Sequence, residues 1–249
     1  MSQMGCVILA GGLGTRLGIK GPKGCVKVRG EETLFEILLR KAEGPVAIMT
    51  SPLNRAATEA FLKEHDFFGV KDVTFFDQDL REGYPDGNGK VFKKLVETGI
   101  WNLWDEKGIT AIGVIPIDNP LASLQDLYPQ NEELVIRCVK IENPEEKIGR
   151  ILIKESQVTV CEYSEMDEAT EFGYTGQFGC TMEFVKKASS YPIDWHQVVK
   201  QGQVRLESFI FDFFPYTKTY RLEISKREDY FAPIKDQESL DTVRRRYTL

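Results

Sequence analysis

Histidine is nearly absent from this 249-residue chain, which contains only His65 and His196. A histidine-based metal centre or a Ser-His-Asp triad is therefore not expected. No apolar run approaches the roughly 20 residues that a membrane span requires. The first strand pattern begins so close to Met1 that we expect no signal peptide. The five cysteines are scattered and form no C-x-x-C pair, so we expect reduced thiols in a cytoplasmic protein.

Acidic residues are missing from the first thirty positions, although the whole chain carries a net charge of −6. The first acid in the chain is Glu31. A local basic patch in an acidic protein indicates a site for a phosphate group, whereas a nucleic-acid surface would need a basic face over much of the domain. We therefore expect neither nucleic acid nor a membrane as a partner. The basic residues of this stretch are Arg16, Lys20, Lys23, Lys27 and Arg29.

An apolar run, Cys6–Ala10, leads directly into Gly11, Gly12 and Gly14. This order predicts a buried strand that delivers a loop whose bare amide N–H groups point at an anion. The spacing matches neither the G-x-G-x-x-G fingerprint nor the P-loop. A glycine-rich turn with solvated lysines is the alternative interpretation, and the acid-free basic cluster favours the phosphate site.

Strand and helix patterns alternate over about the first half of the chain. This alternation predicts an α/β fold with a mainly parallel, doubly wound sheet. The later half changes to hairpin-like and aromatic patterns, and we treat residues 1–249 as one domain. Strands are predicted at 46–50, 73–76, 111–117, 134–141, 149–153, 157–163 and 219–224, and helices at 33–41, 55–65 and 88–107.

Two motifs near the amino end carry a family resemblance. Leu9–Gly18 reads L-A-G-G-L-G-T-R-L-G, and Pro22–Gly24 reads P-K-G. Together they resemble the signature of UDP-sugar pyrophosphorylases, in particular the eukaryotic-type UDP-N-acetylglucosamine pyrophosphorylases. The resemblance extends over about Met4 to Gln237 and covers only the catalytic core of that family. It implies a Rossmann-like nucleotidyltransferase fold (GT-A-like), with a nucleotide-binding half at 1–130 and a sugar-binding half at 131–249.

The activity implied by the resemblance joins UTP and a sugar 1-phosphate and releases pyrophosphate, with Mg²⁺ as cofactor. Arg16 is then expected to stabilise the β- and γ-phosphates, and Lys23 to bridge the α-phosphate and the incoming phosphate. The loop residues Gly11, Gly12, Gly14 and Thr15 are expected to line the nucleotide.

Three further positions are assigned to the nucleotide by resemblance. Pro85–Gly89 reads P-D-G-N-G and is similar to the family's uracil loop, so the amide of Gly87 and the side chain of Gln78 are expected to read the base. Lys235, in a segment similar to the family's tail, is expected to reach the phosphates. The alternatives are a turn with a helix N-cap for the loop and a solvated side chain for Lys235.

The remaining candidates concern the metal and the sugar. A carboxylate at the end of a buried parallel strand suits Mg²⁺ beside a triphosphate, which nominates Asp118 as metal ligand; a helix cap is its alternative role. By resemblance, Asn119 and Glu162 are expected to contact the sugar, and Phe209 and Phe211 to line its pocket. Otherwise Glu162 is a surface acid and the two rings belong to the core.

The sugar preference stays open at this point. Where the acetylglucosamine members carry Asn-Ala-Gly-Asn, this chain has Tyr174–Gln177, which reads Y-T-G-Q. Both N-acetylglucosamine 1-phosphate and glucose 1-phosphate therefore remain as expected substrates. A non-catalytic nucleotide-sugar-binding or regulatory homologue is the alternative function.

Overall fold

The innermost strands of the fold are short apolar runs, since a strand covered on both faces needs apolar side chains on both. The structure is a computed structural model that describes residues 4–19, 21–162, 170–200 and 202–247. The strands are β1 (Met4–Leu9), β2 (Lys27–Arg29), β3 (Glu32–Thr33), β4 (Val46–Thr50), β5 (Val73–Asp77), β6 (Leu80–Arg81), β7 (Tyr84–Pro85), β8 (Ala111–Pro116), β9 (Leu134–Lys140), β10 (Arg150–Lys154), β11 (Gln157–Cys161), β12 (Phe172–Thr181), β13 (His196–Lys200), β14 (Gln203–Glu207) and β15 (Tyr220–Ile224).

The helices are short, and side-chain caps define where some of them begin. The hydroxyl of Thr33 accepts a hydrogen bond from the Glu36 amide at 3.3 Å, which fixes the start of the first helix. The helices are α1 (Leu34–Leu39), α2 (Arg55–Glu64), α3 (Val91–Glu97), α4 (Ile100–Glu106), α5 (Met182–Ala188), α6 (Arg227–Tyr230) and α7 (Gln237–Tyr247), with 3₁₀ helices at Thr15–Leu17, Lys23–Cys25, Asp66–Gly69 and Ile210–Tyr216.

One helix prediction is wrong. The single helix expected at 88–107 is two helices, α3 and α4, which are separated at Thr98 and Gly99. Gly99 has φ 78°, a left-handed conformation that a continuous helix cannot contain. Apolar residues on both sides of the break face the same core, so the hydrophobic pattern runs through it without a change of period.

The central sheet has nine strands in the order β11-β10-β12-β8-β1-β4-β5, with β9 beside β12 and β15 beside β9. Strands β8, β1, β4 and β5 run parallel to one another, and β12 is antiparallel to β8. The predicted fold class, α/β with a mixed and mainly parallel sheet, is confirmed. Strands from both predicted halves of the chain enter this one sheet, and the division at residue 130 stays a prediction.

Helices cover both faces of the sheet. Along β1, Val7 packs into the cluster formed with α3, α4 and α5, whereas Cys6 and Ile8 pack into the cluster formed with α1, α2 and α7. Within the described residues, three separate two-stranded hairpins, β2–β3, β6–β7 and β13–β14, lie outside the sheet. Among the helices of the described residues, none combines the length and the apolar character needed to span a membrane.

Candidate nucleotide-binding site

The glycine loop leaves β1 at the carboxyl edge of the parallel strands, where open α/β sheets bind their ligands. A Cβ atom at Gly12 would meet no atom within 4 Å, so this part of the loop faces open space. Gly14 and Gly18 have φ 64° and 63° and enclose the 3₁₀ helix that carries Arg16. The loop therefore presents its backbone, with Thr15 and Arg16 exposed beside it.

Asn54, which the sequence analysis did not single out, holds the other side of this loop. Its buried side-chain amide donates to the carbonyls of Ala10 (2.9 Å) and Gly12 (3.3 Å), and its Oδ1 accepts from the Ser51 amide at 2.9 Å. These two hydrogen bonds fix the orientation of two loop carbonyls toward Asn54. In the sequence, the only indication of this role was that Asn54 is a polar residue directly before α2.

Gln78 lies directly on the glycine loop. Its Oε1 would be 2.4 Å from a Cβ atom at Gly11, so any side chain at position 11 would displace it. The Gln78 amide donates to the carbonyl of Thr50 at 2.9 Å, which places its side chain at the ends of β4 and β5. The structure thus brings together two positions, Gly11 and Gln78, that lie 67 residues apart in the numbering of the chain.

The loop at residues 86–89 packs against a second loop at 208–210. A Cβ atom at Gly87, which has φ 90°, would lie 2.3 Å from the carbonyl oxygen of Ser208. The Ser208 amide donates to the carbonyl of Asp86 (2.9 Å), and the Ile210 amide donates to Oδ1 of Asn88 (2.9 Å). The side chain of Asn88 therefore joins the two loops, and α3 begins only at Val91.

This packing places Phe209, a predicted sugar-pocket residue, beside the predicted uracil loop. The rings of Phe209 and Phe211 are stacked with centroids 5.0 Å apart. Asp212 accepts from the Phe209 amide at 3.3 Å and pairs with His196 at 3.0 Å. Burial raises the pKa of Asp212, while the contact with His196 opposes that shift.

Lys23 and Asp118, which were assigned separately, contact each other. Nζ of Lys23 lies 3.1 Å from Oδ2 of Asp118, and both side chains are at least half buried. A Cβ atom at Gly24 would lie 2.2 Å from the ring of Phe35, so close packing on α1 fixes the 3₁₀ helix of Lys23. In this state the cation that is expected to meet phosphates is neutralised by the carboxylate that is expected to bind metal.

Asn119 is fully buried and joins the carboxyl-terminal tail to the end of β8. Its Nδ2 donates to the carbonyl of Tyr230 (2.8 Å), and its Oδ1 accepts from the amides of Ala232 (3.0 Å) and Leu121 (3.1 Å). The Ile234 amide also donates to the carbonyl of Asp118 at 2.8 Å. Asn119 thus has a structural role, and its contact with a sugar stays a prediction.

Lys235 is not directed at the glycine loop. Its ammonium group donates to the carbonyl of Lys147 at 2.6 Å, in the connection between β9 and β10. Hydrogen bonds from Ser239 hold the pKa of the next residue, Asp236, below its ordinary value, with smaller contributions from the charges of Arg16 and Lys23. A phosphate contact by Lys235 stays a prediction that requires its side chain to leave Lys147.

Glu162 directly follows β11, which contacts the 3₁₀ helix that contains Phe211. Residues 163–169 of the same motif lie outside the described residues, so the predicted sugar contact is placed only by its strand. Within the part of the chain that the structure describes, no group of three or more His, Cys, Asp or Glu side chains is arranged to hold a metal ion. Asp118, at the end of β8, is the carboxylate nominated for the metal, and its role as a metal ligand stays a prediction.

The fold and the loop define the class of the protein as an α/β protein with a glycine-rich loop after its first strand, at the edge where such sheets bind their ligands. A family model described as UTP–glucose-1-phosphate uridylyltransferase matches residues 1–81. A protein of Encephalitozoon cuniculi, named as a probable UDP-N-acetylglucosamine pyrophosphorylase, is 30% identical over 94% of this chain and 81% of its own. The chain belongs to the UDP-sugar pyrophosphorylase family, as the motifs near its amino end predict.

Two further comparisons show what fraction of a relative's length is covered by the match to this chain. The UDP-N-acetylglucosamine pyrophosphorylase of Saccharomyces cerevisiae is 31% identical over 66% of this chain, but the match covers only 43% of the yeast protein. The solved structure of the Trypanosoma brucei enzyme of that name has a TM-score of 0.79 at 23% identity, and covers 99% of this chain and 65% of its own. The chain therefore has the fold of these proteins and spans less than half of the yeast relative.

Proposed function

We propose that the chain transfers a uridylyl group from UTP to a sugar 1-phosphate and releases pyrophosphate. The observation that carries the proposal is the convergence of the open glycine loop with Gln78, which would lie 2.4 Å from a Cβ atom at Gly11. Backbone amides for phosphates and a side-chain amide for a base, placed side by side, fit a nucleoside triphosphate. The names of the relatives support the same activity.

In the proposed reaction, an oxygen of the sugar 1-phosphate forms a bond to the α-phosphorus of UTP. The bond from that phosphorus to the oxygen shared with the β-phosphate breaks, and pyrophosphate leaves with the electron pair. No protein nucleophile is needed, so the protein contributes positioning and charge stabilisation. Arg16 stabilises the departing phosphates, and Lys23 bridges the α-phosphate and the attacking phosphate.

Mg²⁺ is part of this proposal. Asp118 supplies one carboxylate at the end of β8, and Mg²⁺ commonly combines one or two carboxylates with phosphate oxygens and water. The donor set therefore fits an ion that is shared with the triphosphate, and such an ion offsets charge on the phosphates. Asp118 would hold such an ion, and the ammonium group of Lys23, which lies 3.1 Å from Oδ2 of Asp118 in the structure, would then be available to a phosphate.

The sugar is N-acetylglucosamine 1-phosphate or glucose 1-phosphate, and the side chains at 175 and 177 do not distinguish them. Thr175 donates to the carbonyl of Arg137 at 2.9 Å, and Gln177 donates to the carbonyl of Tyr230 at 2.9 Å. Both side chains therefore already form hydrogen bonds within the protein. Sugar selection is then expected from Glu162 and the ring of Phe209, since Asn119 is also hydrogen-bonded within the protein through both of its side-chain polar atoms.

A pyrophosphate-release assay tests the proposal. UTP and Mg²⁺ are combined in turn with the 1-phosphates of glucose, galactose and N-acetylglucosamine, with EDTA in a parallel series. We expect turnover with glucose 1-phosphate or N-acetylglucosamine 1-phosphate and its loss in EDTA. UTP binding without turnover on any sugar would instead favour the non-catalytic homologue.

A further inference from the structure

A cleft lies between two small hairpins, β6–β7 and β13–β14; its lining contains no residue of the glycine loop and includes Pro85, the first residue of the predicted uracil loop. Its volume is about 220 Å³, and Arg81, Glu82, Tyr84, Gln197 and Arg205 are among its lining residues. Small-molecule pockets typically measure about 300–1,000 Å³. The cleft is smaller than this range, so it suits a ligand smaller than a typical drug-sized molecule and not a nucleotide sugar.

Two arginines in this cleft are supported by aromatic rings. The guanidinium of Arg205 lies 3.6 Å above the ring of Tyr84, and that of Arg81 lies 4.6 Å above the ring of Trp195. A guanidinium that stacks through its face keeps its N–H groups pointing outward in its own plane, where they can bind an anion bidentately. The rings therefore hold the two cations in orientation without using their donors.

Neither arginine forms an ion pair with a carboxylate of the described residues. Elsewhere in the chain arginines do so, as Arg55 does with Asp77 at 3.2 Å and Arg227 with Glu146 at 2.8 Å. Arg205 instead donates to the amide oxygen of Gln203 at 3.2 Å. Two arginines without an ion pair among the described residues thus line one cleft in a chain of net charge −6.

The Nε–H group of Arg205 supplies the most specific observation. It is buried and has no hydrogen-bond partner among the described residues. A buried donor without an acceptor is unfavourable, and more so on a cationic group, so it normally has a partner. An anion in the cleft would supply the missing acceptor.

We propose that this cleft binds a small phosphorylated metabolite whose organic part carries hydroxyl groups. The two arginines match a phosphate monoester, which offers enough terminal oxygens for both. The carboxylate of Glu82 and the amide of Gln197 are further polar groups of the lining, besides the hydroxyl of Tyr84, and they suit hydroxyl groups better than a second anion.

Fluorine NMR tests the proposal directly. The chain contains three tryptophans, so 5-fluorotryptophan labelling gives three signals, and Trp195→Phe identifies the one that reports on Arg81. The probe is glucose 6-phosphate at constant ionic strength. We expect a saturable shift of the Trp195 signal, and an affinity at least tenfold weaker in Arg205→Gln. The matched control Arg245→Gln removes the same charge from α7 and is expected to bind as the parent does.

Three outcomes would overturn the proposal: no saturable shift, an equal shift with glucose or chloride, or undiminished affinity in Arg205→Gln. Arg16→Ala separates this cleft from the nucleotide site, because binding that disappears with Arg16 would belong to the glycine loop. If Arg205→Gln does not fold, Tyr84→Leu removes the ring beneath Arg205, and the same loss of affinity is expected.

Discussion

The nucleotide side and the tail side of the candidate site differ in how far their polar groups are already used. On the nucleotide side, Gly12 faces open space and Arg16 is exposed. On the tail side, Asn119 and Gln177 are fully buried and both donate to the carbonyl of Tyr230, while Lys235 is held by Lys147. The glycine loop and Arg16 on the first side would need no broken contact to meet a ligand, whereas the second side keeps internal contacts that a substrate would have to replace.

Arg16→Ala is expected to produce the largest effect, because it removes a charge from the nucleotide side. We expect kcat to fall roughly 10²–10³-fold, the usual loss for one group that stabilises transition-state charge. Steady-state pyrophosphate release measures the change, and the melting temperature should stay that of the parent. Arg245→Ala, which removes an arginine from α7, is the matched control, and undiminished turnover in Arg16→Ala would contradict the assignment.

Two glycines of the nucleotide side are expected to differ sharply in tolerance. Gly87→Ala should lower the free energy of unfolding by at least about 1–3 kcal/mol, because φ is 90° and the new Cβ would lie 2.3 Å from the Ser208 oxygen. Gly12→Ala should stay within about 0.5 kcal/mol of the parent, since its Cβ would meet nothing. Urea unfolding of both variants measures the two changes in the free energy of unfolding. Equal losses of stability would contradict the difference in packing between Gly87 and Gly12.

Lys235→Ala is expected to have a smaller effect than Arg16→Ala. Its ammonium group already donates to the Lys147 carbonyl, so a phosphate gains only the difference between two hydrogen bonds. We expect kcat/KM to fall by roughly tenfold or less. A loss as large as that of Arg16→Ala would show that Lys235 already contacts the substrate as Arg16 does. That result would contradict the proposed difference between the nucleotide side and the tail side.

The smallest expected effect concerns Lys41 and the way the free energy of unfolding depends on pH. It donates to the carbonyls of Pro120 (2.7 Å) and Ala122 (3.1 Å), just after Asn119, and burial lowers its pKa to about 8. An unfolded lysine titrates near 10.4. Between these values the unfolded chain holds a proton that the folded chain has lost, so this residue's contribution to stability rises with pH.

The measurement is urea unfolding of the parent and of Lys41→Met from pH 8 to pH 10. The parent should gain stability relative to the variant over this range. Other groups that titrate in the same interval cancel in the difference between the two proteins. A difference that does not change with pH would show that burial does not perturb Lys41.

The local features of the fold were largely predictable from the sequence. Apolar runs located β1, β4 and β8, because buried parallel strands need continuous apolar side chains. The helix at 88–107 was wrong at Gly99, whose glycine was the available signal for a helix end. The hairpins β6–β7 and β13–β14 were not anticipated, although Gly83 and Gly202 at their turns have φ 81° and 75°.

The contacts between distant segments were not predictable. The sequence motifs nominated Gln78, Lys23 and Asp118 separately, but not the contact of Gln78 with Gly11 or the pairing of Lys23 with Asp118. Ser208 carries no motif, and its role as the packing partner of Gly87 arises only from the folded chain. Such contacts depend on how the sheet brings loops together, and local pattern does not contain that information.

The structure of the chain crystallised with UTP and Mg²⁺ tests the central claim most directly. The account predicts phosphates within hydrogen-bond distance of the amides of Gly11, Gly12 and Gly14, with the uracil between Gln78 and the amide of Gly87. Lys23 should have exchanged Asp118 for a phosphate oxygen. A nucleotide bound elsewhere, or an empty glycine loop at millimolar UTP, would contradict the account.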